Sequence, residues 1–301
     1  MLIVVAPLLA ACGSNGGPGP EPASCPYSGE IYEHGEEFDA PDGCLRYRCD
    51  GGLPVIVEDD RTTIDGDLNL SNQAAVYAQL CLGTVEGSLS ISGDVVDFTP
   101  LSSLSRVAGT LDITGVDATT MGGLNNLAEV GQDIVVADNT NLMSLAFPQT
   151  MSAFGDVTIR NNDALTSLAG AEFIALCQGC AAAAEQEVRF RDQAPSGQGA
   201  GLADPGPSGG QFFGSVVIAD NDALIDLTAL GNLRSVWTDF RLQNNAALSR
   251  LELFNLAEIM GDFEVSGHGA LATSDVEAFV VNLNVIGSTI VCGNLDGEAC
   301  P

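Results

Sequence analysis

From Arg61 onward, apolar and polar positions repeat as one unit: a short alternating apolar pair, a polar turn, then a Leu-rich stretch. The pairs are Leu68/Leu70, Leu89/Ile91, Leu111/Ile113, Ile134/Val136, Val157/Ile159, Val216/Ile218, Phe240/Leu242 and Phe263/Val265, and Ile290 starts a ninth. Steps between their first members are 21, 22, 23, 23, 59, 24, 23 and 27 residues. The long step is one period of 23 with 36 residues added. A fixed period in the low twenties marks a stacked solenoid. Alternation within each run marks a strand with one buried face, since successive side chains point to opposite sides. No single unit can bury its apolar face, so strands stacked in register form a parallel sheet. The class expected is all-β, a parallel β-helix with leucine-rich-repeat-like returns.

The returns carry apolar residues at a spacing of three: Leu101, Leu104 and Val107; Leu124, Leu127 and Val130; Leu227, Leu230, Leu233 and Val236. They fill the interior from the other sides. Helix signals are confined to short stretches near Ala74–Leu80 and Ser274–Asn282. After the strands come polar pairs, Asp138-Asn139, Asn161-Asn162, Asp220-Asn221 and Asn244-Asn245. Asn tolerates left-handed backbone and bonds neighbouring turns. Asn139, Asn162, Asn221 and Asn245 therefore predict an inward ladder at one corner.

The segment Cys81-Leu-Gly-Thr-Val85-Glu-Gly87-Ser-Leu89-Ser-Ile91, and the recurrence Leu101-Ser-Ser-Leu104-Ser-Arg-Val107-Ala-Gly109-Thr-Leu111-Asp-Ile113, resemble the repeats of receptor L domains. Those domains occur in the insulin-receptor and epidermal-growth-factor-receptor families, with similar repeats in fungal cell-wall proteins. The resemblance covers residues 61–301. It implies a right-handed β-helix, capped at its ends, that binds protein ligands without catalysis. It also implies an upstream cysteine bonded to Cys81, a role for which Cys49 or Cys44 is placed. Receptor signalling is not implied, because the sequence carries no kinase domain.

Ahead of the repeats lie two shorter regions. Residues 25–60 form a small Cys-containing unit whose run from Cys25 through Tyr32, Gly35, Phe38, Cys44 and Cys49 resembles the first half of a von Willebrand factor type C module. It departs from that pattern at Tyr47, where another cysteine is usual. The alternative is a disulfide-stapled cap on the solenoid; so few residues need cross-links for a stable core. Residues 1–11 read as a signal peptide with an apolar core, LIVVAPLLAA, although no Lys or Arg precedes it. Leu9-Ala10-Ala11-Cys12 resembles the lipobox of bacterial lipoproteins, which implies lipidation at Cys12, durable membrane attachment through its acyl chains, and a flexible Gly/Pro/Ser-rich tether over 12–24. Ser14 follows, with no Asp after Cys12, so the expected address is the outer membrane, on its periplasmic or extracellular face.

Nine cysteines agree with export. Setting Cys12 aside leaves eight, which suits disulfides in an oxidising compartment. Cys292 and Cys300 are expected to pair. Cys25, Cys44, Cys49 and Cys81 pair among themselves in an order that spacing does not settle. Cys177-Gln-Gly-Cys180 opens a low-complexity insertion over 177–212, at low closure cost to the solenoid. It reads as a structural disulfide at the loop base; a redox pair lacks its strand–helix context, and a zinc site lacks a second ligand pair.

Charge removes some functions. The net charge is −30, and all ten basic residues are Arg. Such a chain repels phosphate backbones and is no nucleic-acid binder. The positions before the apolar pairs are Asp67, Ser88, Thr110, Asp133, Asp156, Ser215, Asp239, Asp262 and Thr289. They predict one column with neighbours about 4.8 Å apart. In it, Asp133 and Asp156 are adjacent, as are Asp239 and Asp262, and these four form the candidate binding face. Clustered carboxylates admit calcium as a cofactor, although no calcium-loop spacing is present. β-Helix enzymes acting on polysaccharides group Asp on such a face, but paired catalytic carboxylates also need a cleft. The reading favoured is a noncatalytic surface module that recognises a protein or glycan. A purely structural envelope protein and a carbohydrate-active enzyme are the alternatives.

Overall fold

The computed structural model describes residues 23–149, 151–175 and 210–300. Cys12, Cys177 and Cys180 lie outside the described residues, as do the leader and most of the tether and insertion. The chain divides into two units, at Asp59/Asp60.

The first unit is built from two small antiparallel sheets. One pairs β1 (Cys25–Tyr27) with β2 (Glu30–Tyr32); the other has the order β3 (Glu37–Asp39), β4 (Leu45–Asp50), β5 (Leu53–Asp59). Its core is small: Cys25, Phe38 and Cys49, with Tyr27, Tyr32 and Tyr47 packed against them. Burial, and then the hydrogen bond with Tyr47, push the Tyr27 phenol up to about 12. The Cys25–Cys49 disulfide crosses this core, so of the two cysteines placed to reach Cys81, Cys49 is already taken. Cys44 and Cys81 are also disulfide-bonded.

The second unit is a stack of parallel coils. Its main sheet has nine strands in sequential spatial order: β7 (Leu68–Leu70), β9 (Leu89–Gly93), β11 (Leu111–Val116), β13 (Ile134–Ala137), β15 (Val157–Arg160), β17 (Val216–Ala219), β19 (Phe240–Gln243), β21 (Phe263–Ser266) and β23 (Thr289–Cys292). Equivalent residues of successive coils are in register; Leu111 aligns with Ile134, and Val157 with Val216. The inward pairs from Leu89/Ile91 to Phe263/Val265 are buried and belong to one continuous core.

The last coil departs from expectation. Thr289, not Ile290, aligns with Phe263, and Ile290 aligns with the outward Glu264. A polar residue sits at the inward position there, so the apolar pattern is displaced by one residue.

The returns are more ordered than a spacing of three suggests. Each coil adds a second short strand just before its main one. These form a five-stranded sheet of β6 (Thr62–Ile64), β8 (Leu82–Val85), β10 (Arg106–Val107), β12 (Glu129–Val130) and β14 (Ser152–Ala153). A four-stranded sheet follows, of β16 (Gly210–Phe212), β18 (Leu233–Val236), β20 (Glu258–Ile259) and β22 (Asn284–Val285). Strand β16 pairs with β18, so the coil resumes at Gly210, inside the segment 177–212 assigned to the insertion. Leu101, Leu124 and Leu230 end single 3-10 turns at Thr99–Leu101, Gly122–Leu124 and Thr228–Leu230, while Val107, Val130 and Val236 lie in the short strands. The described residues also include two short helices, α1 (Gln73–Tyr77) and α2 (Thr273–Val280). The Cys292–Cys300 disulfide closes the final loop.

Candidate recognition face

The corner between each short strand and its main strand carries the acidic column. Its side chains bond along the stack. Asp133 Oδ1 accepts the Asp156 N–H at 2.9 Å, and Asp156 Oδ1 accepts the Ser215 N–H at 2.7 Å. Asp239 Oδ1 accepts from Asp262 N–H, and Asp262 Oδ1 from Ser288 N–H, both at 2.8 Å. Asp67 and Ser88 receive the N–H groups of Ser88 and Thr110 in the same way. The column therefore ends on Ser288, not Thr289, in keeping with the shifted last strand. One oxygen of each candidate Asp is committed to the next coil's backbone. The preceding Gly follows from the same geometry: a Cβ on Gly155 would lie 2.3 Å from Asp133 Oδ1.

The column is not uniform. Arg241 Nη2 lies 2.7 Å from Asp239 Oδ2 and 3.8 Å from Asp262 Oδ2, and Arg241 Nε lies 4.0 Å from Glu264 Oε2. Asp239 and Asp262 are thus partly neutralised. Among the described residues no Arg pairs with Asp133 or Asp156.

At the far end of the same strands runs a second acidic rim. Asp138, Thr140, Asn161, Asp163, Asp220, Asp222 and Asn244 line an open depression of about 400 Å³. The first residue of each polar pair turns the chain: Asp138, Asn161, Asp220 and Asn244 have φ of 58°, 54°, 55° and 51°. These left-handed residues bond one another, Asn161 Nδ2 to Asp138 Oδ1 at 2.6 Å and Asn244 Nδ2 to Asp220 Oδ1 at 3.0 Å. Among the described residues, no group of three or more His, Cys, Asp or Glu is arranged to hold a metal ion. Between the two rims the outward positions of adjacent strands are Val135, Thr158 and Val217, aligned in register.

Beneath this rim the second residue of each pair points inward. Asn139, Asn162, Asn221 and Asn245 are fully buried. Each Oδ1 accepts from the preceding coil; Asn139 N–H reaches Asn162 Oδ1 at 3.2 Å, and Asn162 N–H reaches Asn221 Oδ1 at 3.1 Å. Each Nδ2 donates to strand carbonyls, as Asn162 does to Val136 and Arg160 at 3.0 Å. The ladder continues through two residues that sequence reading missed. His268 Nδ1 accepts the Asn245 N–H at 3.2 Å, and its Nε2 lies 3.0 Å from the Leu242 carbonyl. Asn294 Oδ1 then accepts the His268 N–H at 3.1 Å. One ring nitrogen accepting and the other donating defines a neutral imidazole. Burial lowers the pKa of His268 below its ordinary value, against the opposing pull of its backbone bonds. The signal available in sequence was spacing, since His268 lies one period beyond Asn245.

Trp237 sits at a strand entry and packs on Phe213, ring centroids 5.0 Å apart. No family model, curated protein or solved structure matches this chain.

Proposed function

We propose that the chain is a noncatalytic recognition module displayed on a bacterial envelope. In this reading the solenoid is a right-handed β-helix of receptor L-domain type, with leucine-rich-repeat character. Lipid at Cys12 tethers it to the outer membrane, and the Cys-rich unit stands between tether and solenoid. The disulfides are in keeping with an oxidising compartment.

One observation carries the functional part. The four candidate carboxylates, Asp133, Asp156, Asp239 and Asp262, are tied into the scaffold, each Oδ1 holding the next coil, while their remaining oxygens edge the regular parallel sheet. That arrangement suits display better than proton transfer, because a general base needs a lone pair aimed at its substrate. Two acidic rims flank an outward strip in which Val135, Thr158 and Val217 lie side by side, between Asp112 on one side and Arg241 and Glu264 on the other. The matching ligand is a protein or glycan whose cationic groups meet the rims and whose body lies across Val135, Thr158 and Val217.

The test is a crosslinking pull-down from envelope and culture fractions. The control bait carries Asp133, Asp156, Asp239 and Asp262 changed to Asn. Asn keeps the Oδ1 acceptor, so the column survives while its charge is lost. A partner held by the unmodified bait alone supports the reading. Equal capture by both baits moves the site away from this corner, and empty capture favours a purely structural role.

A further inference from the structure

Inner coils of the solenoid cover one another completely, but the last described coil does not. Val265 and Ile259 are fully buried, whereas their equivalents one coil on, Val291 and Val285, are only half-buried. Around them Val281, Ile286, Ile290 and Leu295 are 82%, 54%, 40% and 62% exposed. Among the described residues, β22 and β23 are also the outer strands of their sheets. Outer strands in parallel sheets present unpaired N–H and C=O groups. Soluble proteins protect such edges with charge, proline or bulges, and solenoids with a polar terminal repeat. Here the protection is slight: Thr289 at one inward position, and a loop in which Gly293 N–H bonds the Glu298 carbonyl at 2.6 Å. From Ala278 to Leu295 there is no charged residue, in a chain of net charge −30.

Charge decides what this end can accept. Residues 60–67, which open the first coil, carry Asp60, Asp65 and Asp67 against the single Arg61. Head-to-tail stacking would press the apolar coil onto those carboxylates and desolvate them. Two last coils facing each other bring together the uncharged segments 278–295, with Asp275, Glu277, Asp296 and Glu298 at their borders. We propose that two copies of this chain associate through their last coils about a two-fold axis, each covering the half-buried Val285 and Val291 of the other. A two-fold contact is self-complementary and closes, so the product is a dimer and not a fibre.

The experiment is analytical ultracentrifugation of the full chain, beside an Ile286→Glu/Ile290→Glu variant and a Val57→Glu control on the exposed strand β5. Circular dichroism melting checks that each variant folds; both isoleucines are exposed, so the fold is expected to persist. The wild type and the Val57→Glu control are expected to reach twice the monomer mass. The double variant should raise the dimer dissociation constant by roughly a hundredfold or more, because each new carboxylate would be buried unpaired. Dimerisation should strengthen as salt screens the −30 charge of each copy. A wild type that stays monomeric at high concentration and high salt overturns the proposal. So does a dimer untouched by the double variant, a dimer abolished by Val57→Glu alone, or open-ended growth.

Discussion

Changing Asn162 to Ala removes the middle rung of the buried ladder. The side chain occupies a fully buried site and serves both neighbouring coils. Its Oδ1 accepts the Asn139 N–H at 3.2 Å and Asn139 Nδ2 at 3.1 Å. Its Nδ2 donates to the Val136 carbonyl at 3.0 Å. Alanine leaves the Asn139 N–H and the Val136 carbonyl without these partners, where water does not reach. Each orphaned buried group costs about 1–3 kcal/mol, so the expected loss is about 3–5 kcal/mol. That is a large fraction of a typical domain's stability, and it lowers the melting temperature by about 10 °C. The comparison is Asn161→Gly, one residue earlier. Asn161 is half-buried at φ 54° and makes one side-chain bond, to Asp138. Glycine suits that backbone, so a cost below about 1 kcal/mol is expected. Urea unfolding followed by circular dichroism gives both values. A loss below about 1 kcal/mol for Asn162→Ala, or equal losses for the two variants, would refute the claim that the inner ladder holds the coils.

His268 gives a pH test. Its folded pKa lies below the ordinary value because burial disfavours the imidazolium. The unfolded state therefore binds a proton first as pH falls. Stability from this residue is complete above pH ~6.5 and is lost as pH falls from there through the folded value. His268→Asn, which restores the residue type of the ladder, should flatten the stability profile below about pH 6.5; an unchanged slope would assign it elsewhere. Gly123 tests coil spacing. A Cβ there would lie 1.7 Å from the Phe98 carbonyl oxygen of the preceding coil. Gly123→Ala should cost about 3 kcal/mol or more in the same urea experiment, and a neutral result would mean that the coils are not stacked this closely.

Much of this architecture is written in the chain because one constraint repeats. An inward pair such as Val157/Ile159 must be apolar in every coil, and the alternation survives any drift in the loops. The same logic explains the failures. Among the described residues no coil stacks beyond Thr289, so the inward position tolerates a hydroxyl and Ile290 imitates the expected signal. The resumption at Gly210-Gln211-Phe212 continues the Gly- and Gln-rich composition of the insertion, which hides its strand. The short strands β10 and β12 hold two residues each, too few for alternation to appear. His268 is hidden in the sequence because an imidazole accepting through Nδ1 replaces an amide oxygen without sharing its residue type. The acidic column was legible as a column; that its oxygens are aimed along the stack required the backbone of the next coil.

The account depends most on one junction, where the sheet passes from Val157 to Val216 across 59 residues and continues in register. Thr158 and Val217 are then outward neighbours on β15 and β17. Their Cα atoms should lie about 4.8 Å apart, within the range a disulfide spans. The decisive measurement is oxidation of a Thr158→Cys/Val217→Cys variant, read by peptide mass mapping. The account predicts a disulfide between positions 158 and 217 in the folded protein, formed without loss of stability. Its absence, together with a ready crosslink in a Thr158→Cys/Arg241→Cys variant, would contradict the register and the recognition face built upon it.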